Sequence, residues 1–505
     1  MRYLQPAQLG QVCVTDTFWK HEMELVRTRM LPYQWEALND RVSDAAPSWC
    51  VHNFRAAARL QSRRRAGEDW QFRPWQGRFE SLPGEGEQPE ENAFYGFVFQ
   101  DSDMYKWVEA CAYSLMQHPD PELEKTVQDA AQLICAAQEA DGYLNTFYIL
   151  HNRQGAFSNL KDHHELYCLG HLTEAAVAWH QATGRTNLLE AAERFADCVA
   201  AHIGPEAGKM PGYPGHEIAE MALLRLYEET GETRFLTQAR YFLNQRGQTP
   251  NYFVTETERR KRDLPDRGPD VRETPLAYYQ AHEPVRDQKE AVGHAVRAMY
   301  LYSGMADLAR LDGDREMLEA CRKLWTSTTR DKMYITGGVG ATHIGEAFSR
   351  RFDLPNDAAY SETCAAVGLA FFARRMLQLE AKSTYADVME RAILNTVLAG
   401  MAMDGQSFFY VNPLEVEPEA DRTDMRLEHV KPVRQKWFGC ACCPPNVARL
   451  LSSLPSYALL LRDDAAYVNL YMAMEADIRL SGTPLRLLVR DGWMQGRVSI
   501  EIECD

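Results

Sequence analysis

Residues 165–201 read ELYCLGHLTEAAVAWHQATGRTNLLEAAERFADCVAA, two runs joined by Thr183-Gly184-Arg185 in which apolar side chains recur every three or four positions. That period predicts two amphipathic helices, Glu165 to Gln181 and Asn187 to Ala201, with Gly184 supplying the left-handed stop at which a helix reverses. The same grammar returns twice. His216 to Glu229 and Arg234 to Gln245 flank Thr230-Gly231-Glu232, and Ala291 to Leu311 and Arg315 to Ser327 flank Asp312-Gly313-Asp314. Gly184 and Gly231 lie 231 − 184 = 47 residues apart, the period of a two-helix hairpin. Repeated hairpins must bury their apolar stripes on one another, as an open solenoid or a closed ring.

Helical patterning runs from about Met104 to Gly400, and the stretches between hairpins are long and rich in Gly, His, Tyr and Asp. Such loops favour a closed ring in which Asp141 to Thr146, Gly212 to His216 and Tyr334 to Glu346 border one central cavity. After Gly400 the pattern shortens and alternates: Ser407 to Pro413, Ala466 to Met472, Asp477 to Leu480, Pro484 to Arg490 and Arg497 to Glu503 read as strands, with turns at Ser481-Gly482 and Asp491-Gly492. The expected organisation is a mainly α chain, a helical domain over 1–456 followed by a β-sandwich region over 457–505. The chain stops directly after an alternating run, so that sandwich is expected to be truncated, and a homodimer contact is one expectation for it.

The 505 residues include 55 Lys+Arg and 71 Asp+Glu, a formal net charge of −16 that argues against nucleic acid or anionic membrane as a partner. Arg63 to Arg65 and Arg259 to Arg262 read as solvated loop charges. No run is long and apolar enough to span a bilayer, and Met1 to Lys20 lacks the apolar block of a secretory signal. The 12 cysteines, too dilute for a disulfide scaffold, read as reduced thiols of a cytoplasmic protein, with Cys111, Cys135, Cys168, Cys198 and Cys321 in the core.

Three thiols in Cys440-Ala441-Cys442-Cys443-Pro444-Pro445-Asn446 stand just before a helix-like stretch, where the backbone dipole favours thiolate. Upstream, Ser361-Glu362-Thr363-Cys364 leads into another helix, with Ser361 or Thr363 as its cap. Glu362, Cys364, Cys442 and Cys443 together offer three thiolates and a carboxylate, a closed set suited to Zn²⁺, with Cys440 as a further thiol nearby. Such a site carries formal charge 2 − 4 = −2, so one sulfur could attack an electrophile; a purely structural zinc clip is the alternative. Gly337 to Glu346 is glycine-rich without the Lys-Ser/Thr of a phosphate loop, so its glycines read as allowing close approach of a ligand, with Glu346 an acid candidate. His163, His164, His216 and His294 sit where inner helices begin, and with Tyr143, Tyr213 and Tyr410 they read as a polar ring for a hydroxyl-rich ligand.

As a set, Asp141 to Thr146, Asp162 to Tyr167, Gly340 to Glu346, Ser361 to Cys364 and Cys442 to Asn446 resemble glycoside hydrolase family 127, the β-L-arabinofuranosidase family. The resemblance spans about Met1 to Leu480. It implies an (α/α)6 barrel followed by a β-sandwich, and a retaining hydrolysis with a zinc-bound cysteine as nucleophile. By motif, Cys442 would attack the anomeric carbon, Glu346 would be the acid/base, and Glu362, Cys364, Cys442 and Cys443 would hold zinc. Sugar contacts would fall on His164, His216, His294, Glu390 and Tyr410, the substrate being a small glycoside or oligosaccharide. Within the same fold, another furanoside or an acidic pectic sugar is the alternative substrate; outside enzymes, a sugar-binding protein with a structural zinc is the alternative class.

Overall fold

All three glycine joints close in the left-handed region: Gly184, Gly231 and Gly313 have φ of 71°, 74° and 66°. This is seen in a computed structural model that describes residues 3–70, 88–263, 274–490, 494 and 496–504. The helices they join are Glu165–Thr183 with Asn187–His202, Ala219–Thr230 with Thr233–Gln245, and Ala295–Asp312 with Arg315–Thr326. His216 stands three residues ahead of its helix rather than inside it, because Ile218, at φ 156°, breaks the backbone just before Ala219.

Six helices close a ring by packing each on the next: Asp101–Gln117, Glu165–Thr183, Ala219–Thr230, Ala295–Asp312, Thr363–Leu379 and Cys443–Ser452, the last returning to the first. These inner helices are buried almost all round, as the run Asp101 to Leu115 illustrates. Outer helices such as Arg315–Thr326 bury a single stripe of Met317, Leu318, Cys321, Leu324 and Trp325. The mainly helical barrel expected from the sequence is therefore present. At the C-terminal ends of the inner helices, buried ion pairs tie neighbours together; Arg449 meets Glu109 at 3.0 Å with both side chains buried.

The β region forms two antiparallel sheets and draws its first strands from the N-terminus. With strands β1 (Gln5–Pro6), β2 (Val12–Val14), β3 (Leu459–Arg462), β4 (Ala465–Val468), β5 (Met474–Leu480), β6 (Thr483–Arg490) and β7 (Ser499–Glu503), the sheet orders are β1-β3-β4 and β2-β5-β6-β7. Ser481 and Gly482, both at positive φ, turn β5 into β6. Asp491-Gly492 lies outside the described residues. Ser407 to Pro413 is not a strand: Phe408 bridges singly to Met401 and Gln435, and Val411 to Glu362, so its alternation serves loop contacts around the barrel mouth. The arginine clusters are helical rather than loop charges, at the ends of Cys50–Arg65 and Tyr252–Asp263, and Arg260 is buried within reach of Asp162. No described helix is long and apolar enough to cross a membrane.

Two glycines separate strain from collision. Around Gly184 a Cβ would meet open space, so Gly184→Ala is expected to cost only the left-handed penalty, about 1 kcal/mol in chemical denaturation, with the cavity unaffected. At Gly293, φ 71°, a Cβ would strike the backbone of Ala277 and Tyr278. Gly293→Ala is expected to cost more and to displace His294; equal melting curves for the two variants would contradict this.

Candidate active site

The inner helices all start at one end of the ring, and the residues that open them line a cavity of about 800 Å³. Phe97 and Phe99 precede the first helix; His164, His216, His294, Glu362 and Cys442 stand at or just before the other five. Six positive dipole ends thus converge on one space, an environment that favours anions.

Cys442 is the N-cap residue of Cys443–Ser452, whose first turn carries Pro444 and Pro445; proline is tolerated there because those N–H groups lack helical partners. On the adjacent inner helix Glu362 is itself the N-cap residue and Cys364 follows in the first turn. Neither Ser361 nor Thr363 caps it: the Thr363 hydroxyl donates to the Phe409 carbonyl, and Ser361 sits at φ 39°. Sulfur of Cys364 lies 3.2 Å from that of Cys443, Cys442 lies 3.8 Å from Cys443, and the Glu362 Oε1 is 3.5 Å from Cys442 and 3.8 Å from Cys443. A tetrahedral zinc with Zn–S of about 2.3 Å sets its sulfurs about 3.8 Å apart and sulfur to oxygen about 3.5 Å. The donor set therefore fits such an ion.

Electrostatics point the same way. Burial and the neighbouring Cys442 and Glu346 push the Glu362 carboxyl well up, and its Oε2 is buried without a hydrogen-bond partner. Burial also raises the Cys443 thiol, whereas at Cys364 hydrogen bonding with Cys442 and Cys443 outweighs burial and lowers it. A cluster of buried acidic groups with an orphaned oxygen is stabilised by a cation. Cys440 stands beside the set, its thiol pushed up by hydrogen bonding with Cys442 and by burial, and its sulfur is 3.8 Å from the Tyr410 hydroxyl.

Glu346, at φ 54°, is held in a conformation that non-glycine residues rarely adopt. Its Oε1 accepts from the Tyr360 hydroxyl at 2.6 Å and its Oε2 pairs with His294 Nε2 at 2.7 Å. His294 Nδ1 accepts from the backbone N–H groups of Val296 and Arg297, at 3.2 and 3.4 Å, which leaves the ring proton on Nε2 facing Glu346. Burial raises the Glu346 carboxyl, but these two donors and Arg297 outweigh it and hold it down at about 2. Burial lowers the His294 ring, with the bond to Glu346 working the other way, so Glu346 and His294 titrate as a coupled pair. Tyr360→Phe removes one donor that favours the ionised carboxylate, so the pair keeps its proton to higher pH. Read by NMR titration, the Glu346 carboxyl of that variant is expected to ionise about one pH unit higher, the worth of a hydrogen bond to a charged group; an unmoved titration would mean that Tyr360 does not hold the carboxyl down.

His164 and His216 complete the wall. Each has Nδ1 on a backbone carbonyl, of Asp162 at 2.7 Å and Glu217 at 2.9 Å, and burial keeps both rings neutral. Their Nε2 atoms are thereby left as acceptors suited to hydroxyls. Tyr410 places its hydroxyl 3.0 Å from the Cys442 sulfur. Glu390 is not brought here: it lies half-buried on the outer helix Ser383–Ala392, beside Asp387 and away from the cavity lining. Tyr143 and Tyr213 are core residues, Tyr143 donating to buried Glu165, and His163 pairs with Tyr148. The glycines of the Gly337 loop approach the protein's own chain, Gly337 against Ala392 and Gly338 against Ser361. Tyr278, Arg297 and Tyr360 line the cavity without having been singled out in the sequence; Tyr360 directly precedes the Ser-Glu-Thr-Cys motif, which is the one signal available.

A family profile described as "Beta-L-arabinofuranosidase, GH127 catalytic domain" matches residues 11–456. The chain is 42% identical over 469 residues to a non-reducing end β-L-arabinofuranosidase of Bifidobacterium longum subsp. longum, an overlap of 90% of this chain and 66% of that protein. It thus spans just under two thirds of that relative's length. Its fold is similar to that of Ara127N-Se, a GH127 β-L-arabinofuranosidase from Geobacillus stearothermophilus T6, with TM-score 0.87 and 46% identity over 98% of this chain and 73% of the other. A second solved structure, described as a GH127 β-arabinofuranosidase, gives TM-score 0.79 and 36% identity over 97% and 68%.

Proposed function

The chain belongs to glycoside hydrolase family 127, and from that membership we propose that it releases L-arabinofuranose from the non-reducing end of β-L-arabinofuranosides with retention of configuration. One observation carries the reading: Glu362 brings a carboxylate oxygen within 4.8 Å of the thiol cluster and one within 4.8 Å of the His294–Glu346 pair, so nucleophile and acid line one cavity.

In the first step the Cys442 sulfur bonds to the anomeric carbon as the carbon–oxygen bond to the leaving group breaks, and the His294–Glu346 pair gives that oxygen its proton. In the second, Glu346 takes a proton from water as the water oxygen displaces the sulfur, which restores the thiolate. A zinc ion held by Glu362, Cys364, Cys442 and Cys443 would supply the positive charge that keeps the thiols ionised near neutral pH. Tyr410 orients the nucleophilic sulfur, and His164 and His216 receive the sugar hydroxyls, while His294 has both ring nitrogens engaged and serves Glu346. Cys442 and Cys364 both line the cavity, which favours the catalytic over the purely structural use of the ion. Unprotected thiols in such a site accord with a reducing compartment such as the cytoplasm.

The test is hydrolysis of a panel of nitrophenyl furanosides, with metal content and the anomer first released read by NMR. Release of β-L-arabinofuranose from the β-linked substrate, with about one zinc per chain, is expected. Initial release of the α-anomer would overturn the mechanism, and turnover of another furanoside alone would overturn the substrate.

A further inference from the structure

We propose that Asn446 is a positioning residue of the thiol site, its side-chain N–H donating to the sulfur of Cys364 when that sulfur is a metal ligand, and so offsetting part of the negative charge gathered there. This rests on the zinc-dependent hydrolase reading above and adds to it a residue outside the four ligands.

Asn446 closes the motif that begins at Cys442, and neither the ligand set nor the sugar contacts account for it. On the helix Cys443–Ser452 it follows Cys442 by four residues and Cys443 by three, which puts its side chain on their face of the helix, one turn further in. It is only 1% exposed. An amide at that depth needs partners at both of its ends.

One end is settled by its neighbours. The Asn446 Oδ1 accepts from Arg449 Nε at 2.7 Å and from the Tyr300 hydroxyl at 3.4 Å. An arginine Nε–H only donates, so the atom facing it must be the amide oxygen, and the NH₂ is turned the other way. Arg449 is itself tied down. Its remaining nitrogens donate to Glu109 at 3.0 Å and to the Tyr300 hydroxyl at 2.9 Å, and all three side chains are buried.

At the other end, Nδ2 is buried without a hydrogen-bond partner among the described residues. The thiols lie on that side: contact with Asn446 is among the influences that lower the Cys364 thiol. As a thiol, Cys364 directs its own proton to Cys443 at 3.2 Å, and its sulfur accepts weakly. As a metal ligand it is a thiolate, which accepts strongly, so the buried N–H then has the acceptor it otherwise lacks. Three thiolates and a carboxylate crowd enough charge for one such donor to matter. Cys364 is 1% exposed whereas Cys442 is half-buried, so the bond falls on a sulfur that holds the ion rather than on the one that attacks.

The experiment compares Asn446→Ala and Asn446→Asp with the unsubstituted protein. Zinc affinity is read by competition with a chelator and, after exchange of zinc for cobalt, the energy of the sulfur-to-cobalt charge-transfer band is read by absorption. Aspartate is nearly the same shape and keeps an oxygen for Arg449 and Tyr300, but it has no N–H. Both variants are expected to bind zinc about ten- to hundredfold more weakly, Asn446→Asp at least as weakly as Asn446→Ala because its charge faces the thiolates. In both, the cobalt band is expected to move to lower energy, since a sulfur that loses a hydrogen-bond donor gives up an electron more readily. A role confined to anchoring Arg449 predicts instead that aspartate restores what alanine loses. That result, or a cobalt band at the same energy in all three proteins, would overturn the proposal and leave the hydrolase reading standing; failure of the unsubstituted protein to bind zinc would overturn both.

Discussion

Replacing Cys442 with serine is expected to lower turnover at least 10⁴-fold, a barrier increase of about 5.4 kcal/mol, while the protein stays folded. On the proposed mechanism, the size follows from the surroundings of the Cys442 sulfur. A hydroxyl in place of the thiol would need a base to ionise it, and the nearest carboxylate is Glu362, 3.5 Å from the sulfur and itself pushed toward the neutral form by burial and its acidic neighbours. Oxygen is also the weaker partner for a zinc ion that prefers sulfur and nitrogen donors. Stability should suffer little, because Cys442 is only half-buried and its backbone role as N-cap residue needs no particular side chain. Cys443→Ser makes the informative contrast: fully buried and 3.2 Å from Cys364, it should lose metal and melt lower as well as lose activity. A Cys442→Ser protein retaining more than about a tenth of the activity would remove this sulfur from the reaction, whatever it does for the ion.

The helical ring was legible because its grammar is local. A 3.6-residue apolar period and a glycine at each reversal are properties of neighbouring residues, and the helix bounds around Gly184, Gly231 and Gly313 agree with the sequence reading to within a few residues. The thiol set was legible for a related reason: Cys442-Cys443 and Glu362-x-Cys364 are dense enough in sequence to imply a shared ion before any fold is known. What sequence could not reveal is which side of a loop faces inward. Tyr143, Tyr213 and Tyr410 look alike as loop aromatics, yet only Tyr410 reaches the cavity, since Tyr143 is committed to Glu165 and Tyr213 packs on Phe253. Tyr360, marked only by its place before the Ser-Glu-Thr-Cys motif, and Arg297 were missed because their importance lies in contacts that only the fold makes, with Glu346 and with Gly215. The glycines of the Gly337 loop mislead in the opposite way: close approach is real, but it is to Ala392 and Ser361.

Glu346→Gln is the second large effect, and its diagnostic value lies in how the loss divides between leaving groups. The amide is nearly the same shape, its carbonyl can still accept from His294 Nε2, and the Tyr360 hydroxyl can turn to accept from its NH₂, so the loop should keep its place. It can neither give nor take a proton. For a disaccharide, whose departing oxygen needs protonation, both steps suffer and kcat should fall about 10³-fold, within the usual range for losing a general acid/base. For a nitrophenyl glycoside the first step no longer needs the acid, so the thioglycosyl form of Cys442 should accumulate in a rapid burst and then break down slowly for want of a base. Mass spectrometry of the quenched protein would detect that adduct, and it should be absent when Cys442→Ser is added. A uniform loss across both leaving groups, with no burst and no adduct, would mean that Glu346 holds the sugar rather than moving its proton, and the acid would have to be sought elsewhere along the same wall.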